Sequence, residues 1–366
     1  MRVGYYINPQ TPGPREDGRI IEEVIGQVDL AERLGFSDVW ITEHAFTGYN
    51  AYSDPVVLAS AIGQRTRAMR IGFSVAVAPY HHPIRFVTQC NLLDQLSGGR
   101  LIVGFGAGNS PDEFRGYGLD ANDRHAMLNE WIAICLQAWG QNDASQGFAY
   151  GERFWKGEVR GRIIPAPVQQ PHPHIAWGTS TDDTAVRVAQ MGWSLLIGPR
   201  LPQVIIPRLR RYAQALEESG HDAETKARAW RDTGQLQQIY VAAPGEDWRA
   251  TIGEAIEVYV RKSALANSGI DDLPKDDLQR RMAAHVGGWL IAGTVDEVLP
   301  QLVLRAKLGL GHLMCWFNFG HLSDHLVRRS MERFAADIAP VLAETAPDPD
   351  LVEELARQTP VAAPQR

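Results

Sequence analysis

The chain is poor in the residues that staple, anchor or tether a protein. It has only 3 cysteines in 366 residues, Cys90, Cys135 and Cys315. They are far apart and odd in number, so they form neither a zinc spacing nor a disulfide framework. A reducing, cytoplasmic setting is expected. No run of about 18 uninterrupted apolar residues occurs, so no membrane-spanning segment is expected. The first ten residues enter a strand pattern directly and lack the apolar segment of a secretory signal. There is no basic block: 36 Lys and Arg stand against 43 Asp and Glu, a formal charge of -7. That balance speaks against sequence-independent binding to nucleic acid or to anionic membranes. No G-x-S-x-G elbow is present, which removes support for a serine hydrolase. The helical His-Glu zinc motif is missing too. His44, His81-His82 and His172-x-His174 do not fall at several strand ends as a metal-dependent barrel hydrolase requires, so no metal is expected.

What the chain does have is alternation. Hydrophobic residues make up 45% and charged residues 22%, as in a soluble globular protein. Short β-rich runs at 3–7, 38–42, 70–77, 101–105, 174–177, 194–197, 237–242 and 312–317 give about eight strands. Several are nearly continuous apolar runs, as parallel strands covered on both faces should be. Helical patterns at 20–34, 55–64, 83–96, 127–139, 182–191, 201–219, 294–308 and 321–342 fill the gaps. Asp54-Pro55 reads as an N-cap followed by a first-turn proline, and Gly98-Gly99 as a helix stop. Eight strand–helix repeats predict a (β/α)8 TIM barrel rather than an open sheet. The barrel domain spans 1–345. Residues 147–173 read as a surface hairpin and connection. An insertion after strand seven, 244–292, reads as a lid over the mouth or equally as an extra packed helix pair. The Pro- and Ala-rich tail, 346–366, is expected to fray.

In such barrels the active site lies at the carboxyl ends of the strands. Strand two ends in Ile41-Thr42-Glu43-His44. A histidine there suits proton transfer near neutral pH, although a lone histidine is also a common structural group. Strand five ends in Gly178-Thr179-Ser180-Thr181 before a helix. Small residues, hydroxyls and a helix N-terminus suit an anion such as phosphate, and they equally suit an ordinary N-cap. Asp182 and Asp183 would partly oppose a phosphate, so a cation is needed, and Arg124 at a helix start is the candidate. Gly104-Phe105-Gly106-Ala107-Gly108 does not complete a dinucleotide fingerprint, because Asn109 stands where the third glycine is due. These glycines read as clearance for something flat. Phe46, Trp177, Trp193, Trp316 and Phe317 are candidates for an apolar lining.

At these residues the chain resembles the bacterial luciferase-like flavin-dependent monooxygenase family over roughly residues 1–345. The matching segments are Ala-Glu-Arg-Leu-Gly-Phe-Ser-Asp-Val-Trp-Ile-Thr-Glu-His at 31–44, Arg-Ile-Gly at 70–72, His-Pro-Ile-Arg at 82–85, and Asn-Leu-Leu-Asp-Gln-Leu-Ser-Gly-Gly-Arg-Leu-Ile-Val-Gly at 91–104. Asn-Phe-Gly at 318–320, Ser-Met-Glu-Arg-Phe at 330–334 and Pro340 complete the set. The resemblance implies a barrel that binds reduced FMN, supplied by a separate flavin reductase, and uses O2 through a peroxyflavin to oxidise a small apolar organic substrate. Some branches use the deazaflavin F420 for hydride transfer without O2, and a non-catalytic flavin-binding subunit is a third reading. By resemblance His44 is the catalytic histidine, and Ser74-Val75 is a non-proline cis peptide beneath the flavin ring. Gly178, Thr179 and Ser180 form the phosphate loop, and Arg124, with Glu130 six residues on, opens helix four. Gly106, Asn109 and Trp177 complete the expected cofactor site, with Gly106 widening the space at the ring's reactive carbon. Light-emitting members carry a cysteine and an arginine where Gly106 and Ala107 stand, which sets this chain apart from them. A homodimer through helices 55–64 and 83–96 is also implied.

Overall fold

The computed structural model describes residues 1–141 and 147–357. Twelve strands follow in chain order: β1 (Arg2–Ile7), β2 (Asp38–Ile41), β3 (Arg70–Phe73), β4 (Ala76–Val77), β5 (Leu101–Gly106), β6 (Phe148–Tyr150), β7 (Gly157–Val159), β8 (His174–Gly178), β9 (Ser194–Ile197), β10 (Gly234–Val241), β11 (Leu290–Gly293) and β12 (His312–Trp316). The helices are α1 (Asp17–Arg33), α2 (Pro55–Arg65), α3 (Pro83–Ser97), α4 (Pro111–Gly116), α5 (Arg124–Trp139), α6 (Asp182–Gln190), α7 (Pro202–Glu218), α8 (Ala223–Arg231), α9 (Trp248–Ser268), α10 (Lys275–Gly288), α11 (Val295–Lys307), α12 (Asp324–Arg333), α13 (Ala339–Glu344) and α14 (Pro349–Arg357). Every pairing in the main sheet is parallel. β12 joins β1, and β10 joins both β12 and β9, so the sheet closes into a (β/α)8 barrel. Its eight staves are β1, β2, β3 with β4, β5, β8, β9, β10 and β12.

Local signals act where they stand in the sequence. The Asp54 carboxylate accepts the N–H groups of Val56 and Val57 at 2.9 and 3.0 Å, and Pro55 opens α2. Gly98 ends α3 in the left-handed region at φ 68°. β6 and β7 form the antiparallel hairpin expected in 147–173. The third stave differs from one run over 70–77. It breaks between β3 and β4, where the Ser74–Val75 peptide is cis.

Strand alternation sorts the side chains into two layers. Tyr6, Trp40, Ile102, Ala176, Leu196, Leu236, Met314 and Trp316 fill the barrel. Tyr5, Ile7, Val39, Ile41, Val103, Phe105, Ile175, Trp177 and Phe317 point outward into the helices. Both layers are buried, which is why the strands read as continuous apolar runs.

The amino-terminal pole of the barrel is closed by charge. Asp38 and Asp232 are buried. Asp38 accepts from Arg2 (2.6 Å), Ser37 (2.6 Å) and the Trp40 indole (2.5 Å), with His312 Nε2 at 2.5 Å. Asp232 accepts from Arg2 (2.6 Å) and Arg70 (2.7 Å). Burial alone would raise both carboxyls. His312 and Arg2 around Asp38, and Arg70 beside Asp232, hold them well below the usual carboxylate range.

The insertion carries a packed helix pair, α9 and α10, followed by β11. This strand was not expected. It lies at the boundary of 244–292, and its four residues are too short to show a period. β9 pairs β10 at Gly234 and Gln235, while β11 takes over the upper half, from Gln238↔Leu290 to Val241↔Gly293. α4 and α8 were not expected either. The tail corrects its expectation in part: 349–357, inside the stretch expected to fray, form α14, with Leu355 buried against the core. Residues 358–366 lie outside the described residues.

Candidate active site

At the carboxyl ends of the staves, His44 follows β2 and is held from one side. Its Nδ1 lies 3.0 Å from Oε1 of Glu113, on α4, and the Ala45 N–H donates to the same oxygen at 3.1 Å. Tyr80 donates to the other carboxylate oxygen at 3.2 Å. A carboxylate only accepts, so Nδ1 carries the hydrogen, and in the neutral imidazole Nε2 keeps its lone pair. The His44 side chain is 17% exposed and that of Glu113 is 1% exposed. The imidazole therefore faces the cup while its orienting partner is sealed behind it. Glu43, one residue earlier, points the other way. It accepts from the Val77 N–H at 2.6 Å and meets His81 Nε2 at 2.9 Å. Burial pulls the His81 pKa down, but the Glu43 carboxylate outweighs it, and the group titrates above its ordinary value.

The Ser74–Val75 cis peptide is the nearest feature on the next stave. Its carbonyl, Ser74 O, accepts from the Tyr6 hydroxyl at 3.3 Å. The Val75 side chain unites three staves. A Cβ on Gly106 would stand 2.9 Å from Val75 Cγ2, and one on Gly178 would stand 2.7 Å from Cγ1. The glycines in and just after β5 thus make room for stave three, with Gly104 against the Phe73 carbonyl and Gly108 against Val77. This corrects the reading that they leave space for a flat ligand or widen its reactive edge: Val75 fills the space at Gly106.

Thr179 and Ser180 follow Gly178 at the same pole as His44. Thr181 is the N-cap of α6, accepting the Thr184 N–H at 3.4 Å, and its own N–H donates to the Thr179 hydroxyl at 3.1 Å. The first-turn N–H groups of Asp182 and Asp183 have no intrahelical acceptor. The opposition expected from these two aspartates is offset. Asp182 pairs with Arg208 at 3.2 Å and Asp183 with Arg211 at 3.4 Å. Arg124 opens α5 and donates to Ala121 O at 2.9 Å. Glu130 does not face the cup. Its carboxylate takes the N–H groups of residues 152–155 and pins the β6–β7 hairpin. A second cation escaped the sequence reading. Arg187 on α6 lies 5.2 Å over the Trp177 ring and donates to Asn129 of α5 at 2.7 Å, which ties the two helix starts together.

Other expected site residues are placed differently. Trp177 is buried outside the barrel between Phe105 and Trp193, and Trp193 and Phe317 share that outer layer. On β8 it is Ala176 that faces inward, because neighbours on a strand alternate. Asn109 is exposed and donates to Asn267 Oδ1 at 2.9 Å, linking the end of β5 to the end of α9. Phe46 stands at the rim, 65% exposed, with its ring 5.1 Å from that of Tyr117.

The aromatic lining is instead Tyr6, Tyr49, Tyr259 and Trp316. Tyr49 lies edge-on to His44 at 4.7 Å, and its hydroxyl meets that of Tyr259, on α9, at 3.2 Å. The insertion therefore contributes directly to the neighbourhood of the histidine. Glu113 was missed although Ser110-Pro111-Asp112-Glu113 carries a helix-start signature that could have flagged α4. Tyr259 reads in the sequence as part of an amphipathic apolar face with Ile252, Ile256 and Val260, but nothing local directs it to the site. Among the described residues, no group of three or more His, Cys, Asp or Glu side chains is arranged to hold a metal ion.

A histidine–carboxylate pair and a small-residue turn thus share the carboxyl pole of one parallel barrel. Residues 1–312 match the family model described as luciferase-like monooxygenase, and the chain belongs to that family. It is an enzyme of the luciferase-like monooxygenase and oxidoreductase class. It is 25% identical to an alkanal monooxygenase alpha chain of Photorhabdus luminescens, over 94% of this chain and 98% of that one. It is 23% identical to the oxygenase component of a flavin-dependent trigonelline monooxygenase of Acinetobacter baylyi, over 95% and 97%. Among solved structures it resembles the monooxygenase RslO1 of Streptomyces bottropensis (TM-score 0.78, 25% identity, 93% and 99% covered). Two others share its fold. One is the oxygenating constituent of 3,6-diketocamphane monooxygenase from Pseudomonas putida in complex with FMN (0.75, 18%, 93% and 98%). The other is an F420-dependent secondary alcohol dehydrogenase (0.72, 16%, 93% and 98%).

Proposed function

We propose that this chain is the oxygenating component of a two-component monooxygenase. It takes reduced FMN from a separate flavin reductase and, with O2, oxidises a small organic molecule. The observation that carries this reading is the placement of His44–Glu113, the Ser74–Val75 peptide and the Gly178–Thr179–Ser180 turn at one pole of a family barrel. The residues fit a flat cofactor with a phosphate tail. Val75 offers a smooth platform, and two hydroxyls, orphan N–H groups and the positive end of α6 meet the tail. Arg124 or Arg187 would add the cation. When bound, reduced FMN supplies the electrons that activate O2.

The chain's own residues then hold, shield and move protons. Glu113 fixes the His44 tautomer, so that Nε2 accepts or returns a proton at the reacting centre. Tyr6, Tyr49, Tyr259 and Trp316 keep water from it. α9 and α10 act as the cover. The exposed Val57, Leu92 and Leu96 on α2 and α3 support a homodimer through those helices. Three buried free cysteines fit a cytoplasmic protein. No helix among the described residues is long and apolar enough to cross a membrane.

A second reading, hydride transfer with F420 and no O2, is favoured by the likeness to the F420-dependent dehydrogenase, which is one of fold alone. Binding of FMN, reduced FMN and F420 to the full chain, followed by oxygen uptake, separates the two. Tight binding of reduced FMN with substrate-dependent oxygen uptake is expected. F420 binding without oxygen uptake would replace the first reading by the second.

A further inference from the structure

Buried polar groups are almost always hydrogen-bonded, so each exception asks for an explanation. Gln238 on β10 is 0% exposed, and neither its amide nitrogen nor its amide oxygen has a partner. It points into the barrel. Leu236 and Tyr240, two residues to either side, belong to the interior cluster, whereas Ile239 and Val241 belong to the outer one. Its neighbours Gln235 and Gln237 leave their amide oxygens unpartnered too, but each places its amide nitrogen. Gln235 donates to Arg200 O at 2.7 Å, and Gln237 donates to Trp289 O.

A second unpaired group lies in the same packed cluster. His285 on α10 is 6% exposed, and its Nε2 has no partner. Strand register and aromatic rings relate the two. Gln238 is level with Trp316 in the strand register, Trp316 meets Tyr259 edge-on at 5.3 Å, and the Tyr259 ring is 4.6 Å from His285. Through Tyr259 and Tyr49 the cluster is continuous with His44. These groups therefore occupy the part of the cup roofed by the insertion.

Their chemistry restricts what they can meet. Gln238 is neutral, and burial holds His285 down to about 3, so its imidazole is neutral as well. Together they offer donors and acceptors but no countercharge, which suits a carbonyl or hydroxyl better than a carboxylate. The surrounding rings favour a flat, rigid body. The function that is oxidised must sit between His44 and Ser74–Val75, so its oxygen cannot also serve Gln238. An unbranched aldehyde would lay alkyl chain against an unsatisfied amide.

We infer that Gln238 and His285 form a recognition subsite for a second oxygen function, carbonyl or hydroxyl, of an aromatic or polycyclic substrate. This inference rests on the oxygenase reading for the first function only. It is tested by calorimetric binding of 2-naphthaldehyde, 6-hydroxy-2-naphthaldehyde, 6-carboxy-2-naphthaldehyde and decanal to the full chain, with and without oxidised FMN. Oxygen uptake in the presence of a flavin reductase is measured alongside. The hydroxylated aldehyde should bind about tenfold or more tightly than its parent. Gln238→Met should erase that preference, leave binding of the parent aldehyde and of FMN unchanged, and raise Tm, because two unpaired buried atoms are removed. His285→Phe should weaken the preference independently. Equal binding of the two naphthaldehydes, tighter binding of decanal or of the carboxylate, or a preference that survives both substitutions would overturn the inference. So would loss of FMN affinity in Gln238→Met, which would assign the amide to the cofactor. If the preference holds but no aldehyde supports oxygen uptake, the oxygenase reading fails and the subsite stands.

Discussion

The two ends of the barrel differ in the buried polar groups they carry. At the amino-terminal end, Asp38 and Asp232 are each gripped by several donors, and Arg2 spans them. At the carboxyl end, one carboxylate, Glu113, spends its acceptors on orienting a half-open histidine. Farther round the cup, Gln238 and His285 have nothing to bond. Paired charge at one pole stabilises the closed cylinder. Unpaired neutral groups at the other lower stability unless a ligand completes them. The difference separates the end that maintains the fold from the end that meets substrate.

The comparison can be broken by substitution. His44→Ala should lower the rate of substrate oxidation by about 10²–10⁴-fold while flavin binding and Tm stay near wild type. Steady-state turnover beside a flavin titration reads both, and unchanged turnover with flavin bound would remove His44 from the chemistry. Asp232→Ala should do the reverse. It leaves Arg2 and Arg70 without their shared carboxylate and should cost about 3 kcal/mol, toward the low end for a buried pair because both arginines keep contact with water. Urea unfolding measures the loss, and the folded fraction should retain normal turnover.

The smallest effect sharpens the contrast. Each pole holds one histidine that burial keeps at about 3, His174 below and His285 above. Their folded pKa values lie under the unfolded value, so the unfolded chain takes up protons first as the pH falls. The stability they contribute is complete above about pH 6.5 and is lost from there toward 3, by about 1.4 kcal/mol per pH unit for each. Urea unfolding between pH 4 and 8 should show that slope, reduced in His174→Asn and again in His285→Phe. A ligand that pairs His285 should change only the second contribution.

The barrel was legible because its staves are buried on both sides and its helices carry punctuation, such as Asp54-Pro55 and Gly98-Gly99. The same double burial hides which side a residue faces. Trp177, Trp193 and Phe317 read as lining but point outward, while Tyr6 lines the cup. His44 and the Gly178–Ser180 turn were legible because strand ends are chemically distinct from strand interiors. Glu113 was not, since it reaches His44 from 69 residues away on a six-residue helix. Tyr259 and Gln238 were not, because only tertiary packing brings α9 over the mouth and turns β10 inward.

β9 and β10 share only two register pairs before β11 takes β9's place. A cylinder sewn so sparsely along one line is most compliant there. Widening of the cup will be concentrated at that line, and the stitched-in segment that follows α10 couples any such widening to the roof. Entry of a large guest and displacement of the roof would then be one concerted deformation rather than two separate events.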